Sequence, residues 1–214
     1  MSQNTSSAVM QQRREGKDSL DDFPTPPWAT RALCEWLKRR GEPMEQMTCR
    51  EPAANRGHMA RPLGEYFAEV IASDVFDYGA GYPVQDYLFP FDEPVVDWVV
   101  TNPPFRLAED FIRRALGHSR RGVAMIVRSA FLEGVGRYQH LFKLWPPSHV
   151  LQFTERVVMH RGKLSANGST ATAYCWLVWL KEDHGKPTKF DWLAPCRRDL
   201  ERAADYLTPS TPAV

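Results

Sequence analysis

The sequence predicts an α/β protein built on a doubly wound, mostly parallel β-sheet. Short apolar runs that fit buried strands, such as 95–100, alternate with segments whose apolar residues recur at helical spacing, such as 107–116. An early strand at 47–51 is followed by a loop of small residues and then by a helical segment, which is the first unit of many nucleotide-binding sheets. Sheets of this kind bind ligands at the carboxyl ends of their strands.

Length and composition favour one main domain. The chain has 214 residues, of which 43% are hydrophobic and 25% charged, an ordinary globular composition that can support a sizeable core. Residues 1–20 contain few apolar side chains and are expected to form a disordered tail. We assign the main domain to 21–195, and a C-terminal helix and tail to 196–214.

Several classes of protein are disfavoured by the composition. No apolar stretch approaches the length of a membrane span, and the N-terminus lacks a signal-peptide pattern. The four cysteines have no paired spacing, so we expect neither a disulfide framework nor a zinc site, and a reducing, cytoplasmic setting fits best. The net charge of +1 gives no overall attraction to nucleic acid, so any such binding requires local basic patches.

The first folded element is expected to be an amphipathic helix that begins near Thr25. Thr25 can cap a helix, and Pro26 suits its first turn. The apolar face comprises Trp28, Leu33, Trp36 and Leu37. Three basic residues at 38–40 complement the negative end of the helix, and Gly41 can terminate it.

Two acidic residues mark the ends of the first two predicted strands. The strand at 47–51 ends at Glu51, and a helix is expected at 59–67 after the small-residue loop. The strand at 69–73 ends at Asp74, which lies 23 positions after Glu51. An acid at the end of the second strand, at about this distance, commonly accepts hydrogen bonds from a ribose.

The apolar strand at 95–100 ends in a stiff, polar corner, Thr-Asn-Pro-Pro-Phe, at 101–105. Both prolines lack an N–H group and push the preceding residue out of helical conformation. The amide of Asn102 and nearby carbonyl oxygens are then free to accept hydrogen bonds from an amino group, and Phe105 can stack on a flat ring that carries it. Asn-Pro and Pro-Pro also occur in ordinary turns, so the corner alone does not decide the function.

The rest of the chain is expected to complete the sheet. The predicted elements after the corner are a helix at 107–116, a strand at 122–127, a helix at 136–145, strands at 150–153 and 171–180, and a short helix around 197–206.

The corner and the segments before it resemble the small, stand-alone DNA adenine-N6 methyltransferases of phages and prophages. The matching motifs are Thr-Pro-Pro at 25–27, Glu-Pro-Ala at 51–53, the acid at 74, Asp-Tyr-Leu at 86–88 and Asn-Pro-Pro-Phe at 102–105. The likeness covers about 22–180. It implies a seven-stranded Rossmann-like methyltransferase sheet with an antiparallel last strand, and a catalytic domain without a separate target-recognition domain.

The resemblance implies S-adenosylmethionine as the cofactor and gives each motif residue a role. Thr25, Pro26, Glu51, Ala53 and Gly57 would surround its methionine part, Asp74 its ribose, and Asp86 and Tyr87 its adenine. Asn102, Pro103, Pro104 and Phe105 would form the catalytic corner. There the Asn102 side chain and the Pro103 carbonyl would accept the two N–H bonds of the target amine, and Phe105 would stack on the base, without a metal. The loop departs from the family at Asn55, where Gly is usual, but Asn tolerates left-handed backbone.

The substrate is less well defined by the sequence. A polar stretch at 154–170 carries the basic side chains Arg156, His160, Arg161 and Lys163. The stretch fits either a solvated loop or a contact to phosphates beside the target base. Adenine in DNA is the expected substrate. Adenine in RNA, the amide of a protein glutamine, and a non-catalytic cofactor-binding module remain alternatives, as does a homodimer or a partner that supplies specificity.

Overall fold

A computed structural model describes residues 20–90 and 93–207 of the chain, which form a seven-stranded sheet flanked by helices. The strands are β1 Thr48–Glu51, β2 Glu69–Ala72, β3 Val96–Thr101, β4 Ser119–Arg128, β5 His149–Phe153, β6 Tyr174–Leu180 and β7 Lys189–Leu193. The α-helices are α1 Pro27–Arg39, α2 Ala60–Leu63, α3 Ala108–His118, α4 Val135–Arg137 and α5 Arg197–Leu200. Residues 1–19 of the expected tail, and 208–214, lie outside the described residues. No described helix is long and apolar enough to cross a membrane.

The strand order is β2-β1-β3-β4-β6-β5-β7, and the predicted fold class is confirmed. Only β6 among these strands runs antiparallel to its neighbours, β4 and β5. It is the strand expected to close the sheet, but β7 follows it in the chain and pairs in parallel with β5 at the edge. The prediction therefore missed one strand, whose alternating sequence Lys-Phe-Asp-Trp-Leu leaves its two aromatic residues largely exposed.

Two apolar layers cover the two faces of the sheet. On one face, α1 packs over Trp98 of β3 and Trp176 of β6, and the indole N–H of Trp176 donates to the Ala29 carbonyl at 3.1 Å. On the other face, α3 packs over Val99 and the alternate residues of β4. Gly122 gives room for the tryptophan layer, since a Cβ atom there would lie 2.6 Å from the Trp98 ring. The near-continuous apolar strands thus reflect burial on both faces.

Four helical predictions need correction. The helix expected to start near Thr25 begins at Pro27, with Pro26 at its N-cap and no cap hydrogen bond from Thr25. The helix expected at 59–67 is the single turn α2, which ends at Leu63 and contains a proline that supplies no N–H group. The helix expected at 136–145 is α4 followed by a π turn, in which the N–H of Lys143 donates to the Tyr138 carbonyl at 2.8 Å. The pattern at 197–206 forms α5 and a separate 3-10 turn.

A buried arginine ties α1 to the C-terminal segment. The Arg31 guanidinium lies 2.8 Å from carboxylate oxygens of both Glu65 and Asp205, and it donates to the Leu200 carbonyl at 2.7 Å. The side chains of Arg31 and Asp205 are 3% and 6% exposed. Removal of one partner of a buried ion pair leaves an uncompensated charge, which is more costly than loss of a surface pair.

We therefore predict that Arg31→Ala lowers the free energy of unfolding by about 3 kcal/mol in urea denaturation. The matched control is Arg120→Ala, because Arg120 pairs with Asp97 at 3.0 Å on the exposed end of β4 and should cost less than about 1 kcal/mol. Equal effects of the two substitutions would contradict a tie between α1 and the C-terminal segment.

Candidate functional site

A cavity of about 360 Å³ opens beside the carboxyl ends of β1, β2 and β3. Glu51 is the last residue of β1, Asp74 follows β2, and Asn102 follows β3, so the sheet brings these three side chains to one edge. The remaining described residues of its lining are Leu20, Asp21, Phe23, Pro24, Thr25, Pro52, Ala53, Ala54, Asn55, His58, Met59, Val75, Tyr78, Asp86, Tyr87, Leu88, Pro104, Leu107 and Phe111. The volume suits a small organic ligand.

Four residues that line the cavity each carry a buried polar atom with no hydrogen-bond partner among the described residues. These atoms are Thr25 Oγ1, Glu51 Oε2, the Tyr87 hydroxyl and Asn102 Oδ1. Native proteins satisfy nearly all buried polar groups, so a cluster of such atoms at one cavity points to a ligand that carries complementary groups. All four residues belong to the motifs that predict a site from the sequence.

The amide of Asn102 is held in one orientation by the segment at 20–26, which we call the strap. The Nδ2 group of Asn102 donates to the Phe23 carbonyl at 2.9 Å and lies 3.8 Å from the Met159 sulfur. Both contacts identify the nitrogen side of the amide, because a carbonyl oxygen accepts and cannot donate. The oxygen Oδ1 is therefore left as an acceptor for a ligand.

The strap has two further anchors. The Asp21 carboxylate accepts the backbone N–H of Phe105 at 2.8 Å, within the polar corner. The Asp22 carboxylate accepts the Asn55 side-chain amide at 2.7 Å and pairs with Arg56 at 3.1 Å, within the small-residue loop. The strap thus joins the loop after β1 to the corner after β3.

Glu51, at the end of β1, is fully buried and connects this strand to β3. Its Oε1 accepts the Thr101 hydroxyl and the backbone N–H of Ala53, the latter at 3.0 Å. Burial raises the pKa of Glu51 to about 8, despite these two hydrogen bonds, which favour the ionised form. Near neutral pH the carboxyl group is mostly protonated, and a cation placed beside it would favour ionisation.

Asn55 has the left-handed backbone that the sequence analysis allowed for it, with φ of 52°. This conformation directs its N–H to Asp74 Oδ2 at 2.8 Å, while the N–H of Phe76 donates to Asp74 Oδ1 at 3.0 Å. Burial raises the pKa of Asp74 above its ordinary value. Each carboxylate oxygen can accept a second hydrogen bond, so Asp74 remains able to bind a hydroxyl group.

The cavity is acidic. Its lining carries the carboxyl groups of Asp21, Glu51, Asp74 and Asp86, and none of the described lining residues is a lysine or arginine. Burial lowers the pKa of His58 to about 4, so this side chain is neutral at physiological pH. A lining of this kind favours a cationic ligand and disfavours one with a pyrophosphate group.

The structure separates the predicted site residues into two groups. Those at the cavity are Thr25, Glu51, Ala53, Asp74, Asp86, Tyr87, Asn102 and Pro104. Those outside its lining are Pro26, Gly57, Pro103, Phe105, Arg156, His160, Arg161 and Lys163. Gly57 has φ of 79°, and a Cβ atom at this position would collide with the Tyr82 hydroxyl, so the loop requires glycine here.

Several lining residues have no motif that marks them in the sequence. Tyr78 and His58 lie in loops, and Phe111 lies in the helix predicted at 107–116, where apolar packing is the ordinary role. Phe23 is also unmarked, because its backbone carbonyl contacts Asn102 and a backbone group leaves no signal in the residue type. The signal available for Tyr78 was its position shortly after the acid at 74.

The polar stretch at 154–170 folds over the strap. The N–H of Gly162 donates to the Asp22 carbonyl at 2.8 Å, and a short bridge joins His160 to Lys163. A guanidinium nitrogen of Arg156 donates to the Ala171 carbonyl at 3.3 Å. The stretch approaches the corner through Met159, while its predicted basic contacts lie outside the cavity.

Comparison with known proteins finds similarity in fold. No family model and no curated protein matches the sequence. Among solved structures, a putative class I S-adenosylmethionine-dependent methyltransferase from Listeria monocytogenes matches with a TM-score of 0.63 and 12% identity, over 83% of this chain and 69% of that one. A type I restriction-modification methyltransferase subunit from Streptococcus thermophilus matches with a TM-score of 0.59 and 13% identity, over 80% of this chain and 47% of that one.

A putative RNA methyltransferase from Pyrococcus horikoshii also matches, with a TM-score of 0.58 and 20% identity, over 78% of this chain and 91% of that one. The chain therefore spans about half of the Streptococcus subunit but most of the Pyrococcus protein. At these identities the comparisons establish that the chain has the fold of these methyltransferases.

The backbone at Asn55 generates a testable prediction. Asn55→Ala and Asn55→Gly both remove the side-chain contact to Asp22, but only alanine is strained at positive φ. We expect Asn55→Ala to be about 1 kcal/mol less stable than Asn55→Gly in urea denaturation, opposite to the usual order of these residues. An alanine variant at least as stable as the glycine variant would exclude the left-handed conformation.

Proposed function

We propose that this chain transfers a methyl group from S-adenosylmethionine to the N6 amino group of adenine in DNA. The observation that carries the proposal is the set of unpartnered buried polar atoms on Thr25, Glu51, Tyr87 and Asn102 around one acidic cavity. These residues belong to the motifs that resemble adenine methyltransferases. The fold shared with class I methyltransferases supports the reaction class, and the likeness to a restriction-modification methyltransferase subunit supports DNA as the substrate.

The cavity fits S-adenosylmethionine in charge and in hydrogen-bonding groups. The cofactor carries a sulfonium and an ammonium, which suit a lining with several carboxyl groups and no described lysine or arginine. We assign Thr25, with its unpartnered hydroxyl, to the cofactor carboxylate, and Asp74 to the ribose. Asp86 would accept the cofactor's adenine amino group beside Tyr87. Bound there, the cofactor supplies a methyl group on a positively charged sulfur.

Asn102 acts on the target amine in this proposal. An exocyclic amine is a poor nucleophile, because its lone pair is delocalised into the ring. Asn102 Oδ1 accepts one of its N–H bonds, and the Pro103 carbonyl accepts the other. Acceptance of both bonds localises the lone pair on nitrogen and aims it at the methyl group. The N–CH3 bond would form as the S–CH3 bond breaks, the sulfur would leave as a neutral thioether, and the extra proton on nitrogen would pass to solvent. Because the Phe23 carbonyl already fixes the amide, little reorganisation is needed when the amine arrives.

Adenine in RNA is the second candidate substrate. The Pyrococcus protein is a putative RNA methyltransferase, and the chain matches most of its length. Either nucleic acid would present the base outside a stack, at a cost of about a few kcal/mol when it leaves a duplex. We propose that the basic residues of the stretch at 154–170, Arg156, His160, Arg161 and Lys163, contact neighbouring phosphates.

Asn102→Ala is predicted to reduce methyl transfer to DNA at least about 100-fold, because it removes the acceptor that activates the amine. The measurement is transfer of labelled methyl from S-adenosylmethionine to a DNA pool that contains every short sequence context. Cofactor affinity, measured by calorimetry, should change little, because the amine and not the cofactor loses its partner.

Asn102→Asp serves as the matched control. It keeps an acceptor oxygen but has no N–H group for the Phe23 carbonyl, so we expect activity between that of Asn102→Ala and the wild type. If the wild type binds cofactor and labels no DNA pool, the assignment of DNA is wrong. Labelling of the corresponding RNA pool would then favour the second candidate.

Cofactor affinity is predicted to rise with pH up to about 8 and then to level off. In the free protein Glu51 is protonated below its pKa of about 8. The cationic cofactor favours the carboxylate, so binding releases a proton. Between about pH 6 and about pH 8 we expect an increase of about tenfold, measured by calorimetry in buffers of different ionisation enthalpy.

Glu51→Gln separates this effect from titration of the cofactor amino group, because glutamine keeps the shape of the side chain without the titration. The affinity of the wild type should rise with pH, and the affinity of Glu51→Gln should not show this rise. Profiles of identical shape would show that Glu51 does not ionise on binding.

A further inference from the structure

The ring of Phe105 has two close neighbours, and one of them lies over its face. The Arg128 guanidinium, at the carboxyl end of β4, lies 3.9 Å from the ring centroid. The Phe23 ring lies at a centroid distance of 5.4 Å and an interplanar angle of 36°. A flat base can therefore stack on the face of Phe105 that Arg128 covers only if the guanidinium moves.

The two neighbours differ in their freedom to move. Phe23 is 3% exposed, and its carbonyl holds the Asn102 amide, so a shift of Phe23 would disturb the corner. Arg128 is half-buried, and its guanidinium lies at the end of a long, flexible side chain. The side of Phe105 that can open is therefore the side covered by Arg128.

Arg128 also has unused binding capacity. Among the described residues no carboxylate pairs with its guanidinium, and its Nε group is buried without a hydrogen-bond acceptor. Other arginines at the ends of this strand and its neighbours have carboxylate partners, for example Arg121 with Glu42 at 3.0 Å. A planar, weakly hydrated cation of this kind stacks on aromatic faces and donates to bases or phosphates.

We propose that Arg128 is a substrate-positioning residue that covers the outer face of the target base. This inference rests on the proposed function. Without substrate, the guanidinium protects the ring of Phe105. When the base enters, the guanidinium lifts from about 4 Å to about 7 Å, the sum of two van der Waals contacts, and the base lies between Phe105 and Arg128. The sandwich holds the amine beside Asn102 without any bond made or broken.

The kinetic test compares four proteins: wild type, Arg128→Ala, Arg128→Lys and Arg120→Ala. Arg120 lies at the opposite, exposed end of the same strand, so Arg120→Ala is a control that also removes one arginine. The probe is a random-sequence DNA pool, with labelled methyl transfer measured at saturating S-adenosylmethionine. Because stacking on a base contributes strongly to binding, we expect Arg128→Ala to raise KM for DNA about tenfold. The value of kcat should change less, and cofactor affinity should match the wild type.

Arg128→Lys should restore less than half of the lost affinity on a logarithmic scale, because ammonium cannot stack as guanidinium does. Arg120→Ala should have the wild-type KM. An unchanged or lowered KM in Arg128→Ala, with unchanged cofactor affinity, would overturn the proposal. Arg128 would then either make no contact with the base or only obstruct its binding. If the wild type labels no DNA, the proposed function fails, and this inference fails with it.

A second measurement does not depend on the variants folding. In the NMR spectrum of wild-type protein saturated with S-adenosylhomocysteine, the Arg128 Nε–H resonance should show the ring-current shift expected over Phe105. The adenine-containing DNA pool should move this resonance, and a pool without adenine should move it much less. Equal movement with both pools would mean that Arg128 responds to the backbone and not to the base, and would overturn the proposal.

Discussion

The buried contact between Glu51 and Thr101 joins the two parts of the site. Glu51 ends β1 and Thr101 ends β3, and the hydroxyl of Thr101 donates to the Glu51 carboxyl group. The same carboxyl oxygen orders the start of the small-residue loop through the N–H of Ala53. The acid beside the proposed cofactor and the corner beside the proposed substrate therefore share one buried hydrogen-bond network. A buried acid of this kind is costly to ionise without a partner, which explains why its pKa is raised.

The strap holds the loop after β1 and the corner after β3 in fixed positions. Its side chains and carbonyls bind the loop after β1 and the corner after β3, and the carbonyl of Phe23 selects the orientation of Asn102. An asparagine amide has nearly equivalent shapes in its two orientations, so geometry alone does not fix which atom faces the ligand. The strap resolves this choice before any substrate arrives. Catalysis by positioning depends on such prior order, because reorganisation during reaction would raise the barrier.

Much of the site could be predicted because the sequence motifs coincide with strand ends, and parallel strands end at one edge of the sheet. For this reason Glu51, Asp74 and Asn102 line one cavity, although they lie far apart in the sequence. The prediction failed where tertiary packing or backbone groups decide the outcome. The short α2 and the Phe23 carbonyl belong to this class. The stack of Arg128 on Phe105 joins the end of β4 to the corner after β3, and no motif in the sequence marks Arg128.

The charge distribution explains how a nearly neutral protein could bind two ligands of opposite charge. The net charge of +1 conceals an acidic cavity and basic side chains outside it, such as Arg128, Arg156 and Lys163. Carboxyl groups in a partly closed cavity act at short range on a small cation, where the surrounding protein limits screening. Exposed basic groups act on a polyanion over about the Debye length. Because the basic side chains lie outside the lining of the acidic cavity, the proposed cofactor and the proposed nucleic acid would each meet a field of opposite charge to their own.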